Sequence, residues 1–286
     1  MLRWRCPLVL AVAVCHLAGC ARAPTPAPTR GGDPDDRITV VTLNLYHDKE
    51  AWPERRPAII AALRELRPDV IALEEVIGNE NVRNQAESLA EELGYGLTFS
   101  SVDPVGSPKR YGNAILTRHP VIRRGWKRLR PLDDSRTAAH VRIALGDRAV
   151  NVYVTHLHNT PEGVSIRAQQ VTDLLAFVRE TGGGAPSIVA GDLNAESANP
   201  ELDALARGFV SSYDVLHPDA DRDPRAHATL NPHFFPVDHR RIDHIYVERG
   251  RFAPLESRII LNRADAAGRW PSDHFGLLTR VRLLPR

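Results

Sequence analysis

Short apolar runs that stop on an amide, carboxylate or imidazole recur along this chain and constrain its fold more than any other feature. Arg37 to Leu45 (RITVVTLNL) carries Asn44 near its end, Asp69 to Leu73 leads into Glu75, and Ala149 to His156 ends on the imidazole itself. Ser187 to Ala190 runs into Gly191-Asp192-Leu193-Asn194, Asp243 stands at the start of Ile242 to Val247, and Ser272-Asp273-His274 precedes Phe275 to Leu283. β-Branched runs of this length read as strands. Ionised groups are almost never buried without partners, so repeated polar residues at predicted strand ends point to one shared site rather than to core packing.

Between these runs lie amphipathic stretches. Trp52 to Arg67 puts Ile59, Ile60, Leu63 and Leu66 on one helical face, with Pro68 as its stop. Asn81 to Leu93 predicts a second helix capped by Gly94, and Ile166 to Glu180 a third that ends in Gly182-Gly183-Gly184. Asn113 to Thr117 adds a strand, and Ala139 to Leu145 with Ala149 to His156 predicts a hairpin across Gly146-Asp147. No internal repeat is present. The strands outnumber what one covered sheet needs, so the expected class is α/β: a four-layer sandwich of two packed mixed β-sheets flanked by helices.

The N-terminus reads as a targeting segment. Arg3 and Arg5 precede an apolar stretch from Pro7 to Ala18, and small residues lead to Cys20. A secretory signal has this layout, and Leu17-Ala18-Gly19-Cys20 resembles the lipobox of bacterial lipoproteins. That resemblance implies a signal peptide over 1–19 and a lipid on Cys20, hence a lipid-anchored location on the periplasmic side of a bacterial membrane. The apolar stretch is too short for a stable helix across a hydrocarbon core of about 30 Å. Residues 20–36 form the lipidated cysteine and a Pro-rich tether, and 37–286 the folded domain. With Cys6 and Cys15 removed, the mature chain keeps only Cys20, which excludes an internal disulfide and a cysteine-based zinc site. Charge selects no partner: 37 Lys and Arg face 35 Asp and Glu, and loss of Arg3 and Arg5 leaves the two in balance.

The order of motifs is more specific. Thr42-Leu43-Asn44, Leu73-Glu74-Glu75-Val76 and Tyr111-Gly112-Asn113-Ala114-Ile115-Leu116-Thr117-Arg118 come first. Thr155-His156-Leu157, Gly191-Asp192-Leu193-Asn194-Ala195, Arg241-Ile242-Asp243-His244-Ile245 and Ser272-Asp273-His274-Phe275 follow. This succession, over about residues 37–284, resembles the endonuclease/exonuclease/phosphatase superfamily. That family includes deoxyribonucleases, abasic-site endonucleases, neutral sphingomyelinases and inositol-polyphosphate phosphatases.

The resemblance implies a Mg²⁺-dependent phosphoric ester hydrolase, with Mn²⁺ as the alternative ion. It gives the metal to Asn44, Glu75 and Asp273, which offer the hard oxygen donors that Mg²⁺ takes. It makes Asp192, Asn194, Asp243, His274 and His156 catalytic. Asp192 handles the attacking water, Asn194 donates to the phosphoryl oxygens, and Asp243 orients His274; either Asp192 or His274 serves as the base. His156 stabilises phosphate charge or protonates the leaving oxygen, and excludes the abasic-site branch, which carries Tyr there. Asn113 and Arg167 are the expected substrate contacts, with Gln170 one turn from Arg167. Glu74 departs from the family, which often has Gln.

Three functions fit this reading. The first is a phosphodiesterase or phosphatase for a lipid or small molecule, acting as a monomer. The second is a secreted nuclease, for which Arg123-Arg124-Gly125-Trp126-Lys127-Arg128-Leu129-Arg130 would supply a basic, aromatic groove; the same segment reads equally as a solvated strand edge that resists aggregation. The third is a non-catalytic binding protein on the same scaffold, which the intact residue set from Asn44 to His274 argues against.

Overall fold

A computed structural model describes Met1 and residues 36–285, so Cys20 and, apart from Met1 and Asp36, the signal peptide and tether lie outside the described residues. Twelve strands form two six-stranded sheets. In the first, β1 (Arg37–Asn44), β2 (Val70–Gly78), β3 (Gly96–Ser101), β4 (Arg110–Thr117), β11 (Phe252–Ile260) and β12 (Gly276–Leu283) lie in the order β11-β12-β1-β2-β4-β3. In the second, β5 (Val121–Arg128), β6 (Thr137–Leu145), β7 (Arg148–Thr155), β8 (Ser187–Asp192), β9 (Phe209–Ser211) and β10 (Asp243–Glu248) lie in the order β5-β6-β7-β8-β10-β9. Both sheets are mixed: β1–β2 and β7–β8 are parallel, and the other pairs are antiparallel.

The strand period of two builds the layers. In β1, Ile38 and Val40 face the second sheet, while Val41 and Leu43 face outward onto α1 (Trp52–Leu66) and α2 (Gln85–Leu93). In β8, Ile188 and Ala190 face the first sheet, and Val189 meets α3 (Val164–Thr181). The result is helices, sheet, sheet, helices, the expected four-layer sandwich.

The expected elements recur with shifted ends. Helix α2 begins at Gln85 rather than Asn81, because the Asn84 side chain caps it by accepting from the Ala86 and Glu87 amides. The sequence reading missed β3, β9 and β11. Of the two readings of the basic segment, the strand edge holds: it is the edge strand β5, with Arg123, Arg124 and Arg128 exposed and Trp126 half exposed. Charged side chains protect such an edge from pairing with another chain. No helix among the described residues is long and apolar enough to cross a membrane.

Candidate active site

The site grows out of the same alternation. The inward rows of Val40 on β1, Ala72 on β2, Val154 on β7 and Ala190 on β8 contribute to the core between the sheets. Two to four residues further on, those rows reach Asn44, Glu74, His156 and Asp192, all buried. On β10 the row of Val247 and Ile245 runs back to Asp243. Polar residues thus replace apolar ones on the facing sides of both sheets, all at one end of the sandwich.

Asp192 is the centre. Its Oδ2 lies 3.1 Å from Asn44 Nδ2, 3.4 Å from His156 Nε2 and 3.8 Å from His274 Nε2. Its Oδ1 accepts the Asn194 amide at 2.9 Å. Strand geometry does not extend from Asp192 to Asn194: β8 stops at Asp192, and Asn194 turns back with φ 50°. Gly191 makes the approach possible, since a Cβ there would lie 1.9 Å from the Thr155 carbonyl oxygen. Asn194 donates from Nδ2 to the Leu157 carbonyl, which keeps its amide beside His156.

Asp243, fully buried, holds His274 Nδ1 with its Oδ2 at 2.8 Å. Burial works against charge on His274, but Asp243 and then Asp192 outweigh it and raise the imidazole well above its ordinary value. Burial, followed by the charge of Asp243, pushes Asp192 up to about 7. His156 moves the other way: burial and then the Arg136 guanidinium hold it well below its ordinary value, as a neutral imidazole. Asp192, Asp243 and His274 are the group of acid and imidazole side chains that, among the described residues, lie close enough to clamp a cation; Asp243 Oδ2 accepts from His274 there, and its Oδ1 has no partner.

Glu75 sits inside β2 rather than beyond it. The β2–β4 register slips between Leu73 and Val76, and Glu75 takes φ 53°. This bulge lets two consecutive acids serve the site, where an unbroken strand would send them to opposite faces. A positive φ outside glycine costs on the order of 1–3 kcal/mol and clusters at functional sites. Burial favours neutral Glu75, but its hydrogen bond to His47, first among the opposing effects, helps hold the carboxylate at about 2. Asp273 is pushed up to about 6 by burial and, despite His274, by the charge of Glu75.

These two carboxylates and the Asn44 carboxamide are hard oxygen donors, the chemistry that a divalent cation takes. The Asn44 oxygen already accepts the Tyr46 amide at 3.0 Å and keeps one lone pair. Glu74 lies fully buried between the sheets, takes one hydrogen bond from Thr42 Oγ1 at 3.0 Å and leaves Oε2 without a partner. Burial, then Asp243 and Asp192, raise it well above the carboxylate range, so it stands there as a neutral acid. A neutral Glu matches Gln in shape, which accounts for the departure from the family residue.

One expected substrate contact is corrected. Arg167 is buried, with Nε on Glu201 at 2.9 Å and Nη1 on the His158 and Thr160 carbonyls at 3.2 and 2.7 Å. Its Nη2 lies 2.9 Å from the same Glu201 oxygen. That guanidinium fastens the loop after β7 to the chain beyond β8 and offers substrate nothing. Asn113 is also buried, and its Nδ2 donates across to the Thr137 carbonyl at 3.0 Å. Gln170 likewise braces the loop, with Oε1 accepting the His158 amide at 2.8 Å.

Sequence reasoning missed the residues that frame the site. Arg55 reaches from α1 to the carbonyls of Leu45, His47 and Lys49. Thr229 Oγ1 accepts the Ile242 and Asp243 amides at 3.0 and 3.2 Å, and Asn231 binds the Ser272 and Asp273 carbonyls at 3.0 and 2.9 Å. Asn231-Pro232 was the one turn signal there, and nothing in it indicated the distant partners.

Two acids, two imidazoles and amide donors converging at one end of the sandwich define a phosphoester-hydrolase type of centre. The comparisons agree with that class. The profile of the Endonuclease/Exonuclease/phosphatase family matches residues 41–274, and the chain belongs to this family of phosphoester hydrolases. It is similar to nocturnin of Drosophila melanogaster, 26% identical over 82% of this chain and 42% of that protein. It is also similar to mouse tyrosyl-DNA phosphodiesterase 2, 24% identical over 86% of this chain and 66% of that protein. The chain therefore spans less than two thirds of these relatives. The solved structure of D. rerio TDP2 complexed with a single-strand DNA product covers 87% of this chain at a TM-score of 0.71 and 16% identity, a likeness of fold.

Proposed function

We propose that this chain is a metal-dependent phosphodiesterase, a lipoprotein anchored through Cys20, that acts on a lipid or small-molecule phosphate ester. The observation that carries the chemistry is the convergence of Asn44, His156 and His274 on Asp192 Oδ2 at 3.1, 3.4 and 3.8 Å. A carboxylate poised near neutral pH is suited to take a proton from water, so Asp192 is the base. His274, kept cationic by Asp243, carries the charge that balances the proton's departure. His156, kept neutral, donates a hydrogen bond to a phosphoryl oxygen, and Asn194 donates from the amide hydrogen that Leu157 leaves free. Glu75, Asp273 and Asn44 would hold a Mg²⁺ or Mn²⁺ ion. When bound, that ion neutralises phosphate charge and polarises the phosphoryl oxygen.

A second reading, a nuclease, is favoured by the exposed Arg123, Arg124, Trp126 and Arg128 on β5 and by the DNA-processing relative. Assay of the protein with Mg²⁺ or Mn²⁺ on phospholipids, bis-nitrophenyl phosphate and single- and double-stranded DNA separates the two. Hydrolysis of the esters with DNA untouched supports the first reading, preferential cleavage of DNA the second. Equal rates for wild type and Glu75→Gln reject the metal site in either case. Cys20→Ser should leave the membrane fraction; a variant that still pellets after a high-salt wash rejects the lipid anchor.

A further inference from the structure

The loop after β1 contains a side chain that neither the stability of the fold nor the chemistry above explains. His47 Nε2 lies 2.6 Å from Glu75 Oε2. Its ring stands against Tyr111, with centroids 5.1 Å apart and planes at 33°. Its carbonyl is held twice, by Arg55 Nη2 at 3.1 Å and by the Gln85 side-chain amide. Tyr46 and His47 both take positive φ, 59° and 49°, a succession that ordinary residues adopt only when the surroundings enforce it. Arg55 and Gln85 provide that enforcement, and its effect is to aim one imidazole nitrogen at one carboxylate oxygen.

An ion pair by itself does not account for this construction. The His47 side chain is 30% exposed and that of Glu75 18%, and pairs open to water contribute little to stability. The same openness leaves the pair accessible to an ion from solution. Resting on the proposed metal role of Glu75, we propose that His47 is a nitrogen ligand of the same cation. It would bias the site toward first-row transition ions such as Mn²⁺ and away from Mg²⁺. Mg²⁺ takes oxygen donors almost exclusively, whereas transition ions also accept imidazole. Asn44, Glu75 and Asp273 alone would give an oxygen-only site; a nitrogen donor in the set changes which ion it selects.

The test is metal binding, read without turnover. Wild-type protein, His47→Ala and His47→Gln are titrated with Mn²⁺ and with Mg²⁺ by calorimetry, after melting curves establish that all three fold. The Mn²⁺-loaded proteins are then examined by electron spin-echo spectroscopy for coupling to ¹⁴N. Wild type is expected to show imidazole nitrogen coupled to Mn²⁺ and to prefer Mn²⁺ over Mg²⁺. Both variants should lose the coupling and about 10- to 100-fold of Mn²⁺ affinity, with Mg²⁺ affinity in His47→Gln nearly unchanged. A loss of that size alone also follows when a mere partner of a ligand is removed, so the nitrogen signal and the Mn²⁺/Mg²⁺ ratio decide. Mn²⁺ bound with no nitrogen coupling in wild type, or a ratio equal in wild type and variants, overturns the assignment while leaving the metal site intact. No binding of either ion by wild type overturns the metal site as well.

Discussion

His274 Nδ1 and Asp243 Oδ2 lie 2.8 Å apart, on a carboxylate that no solvent reaches. The two come from different segments: Asp243 begins β10 of one sheet, and His274 ends the loop that enters β12 of the other. The bond therefore ties the sheets together where the site opens, and it sets both the tautomer and the charge of the imidazole.

Asp243→Asn should keep the shape of this contact and lose its charge. Orienting and charging an acid–base group accounts for roughly 10²- to 10⁴-fold in rate, and a loss in that range is expected in kcat, with KM little changed. Steady-state kinetics at pH 7 checks it. A variant within threefold of wild type would leave the pair a structural tie only.

His156 is held neutral by burial and by Arg136, so it should bind phosphate rather than protonate the leaving group. His156→Ala is expected to lose similar factors, roughly 10²-fold or more, on an alkyl and on a nitrophenyl ester. Recovery on the nitrophenyl ester alone would instead assign it the acid role.

Glu74 gives a pH prediction with a definite sign. Its folded-state pKa lies above the unfolded value of about 4.3, so between those two values the native protein holds the extra proton and stability falls as pH rises. Glu74→Gln removes that dependence. The variant should melt higher than wild type at pH 8 in chelator, and the advantage should vanish near pH 4. Each unit of upward displacement corresponds to about 1.4 kcal/mol, or about 2–4 °C per kcal/mol in a domain of this size. A variant that melts no higher than wild type at pH 8 rejects the neutral acid.

Arg167→Met separates the two roles considered for Arg167. With the arginine inside the ion pair with Glu201, its loss strands a buried carboxylate at a cost of about 3–5 kcal/mol, or roughly 10 °C in Tm. Turnover per folded molecule should change little. Unchanged stability with a raised KM would restore the substrate contact.

The four-layer class and the placing of Asn44, His156, Asp192 and Asp243 at strand ends were legible in the sequence. Alternation and strand ends are local properties, and Asn44, His156, Asp192 and Asp243 each interrupt an inward apolar row at its end. The edge strands β3 and β11 were not legible, because a half-exposed strand carries a weak apolar signal: β11 has the burial of its neighbours on only part of one face. Only the tertiary structure decided what the polar side chains do. Arg167, read as a substrate contact, is consumed by Glu201 and two carbonyls. His47 meets Glu75 at a bulge that no spacing announces. Periodicity specifies which face a residue takes; whether its charge is free, paired or neutralised depends on groups far away in the chain, which become neighbours only when the two sheets pack.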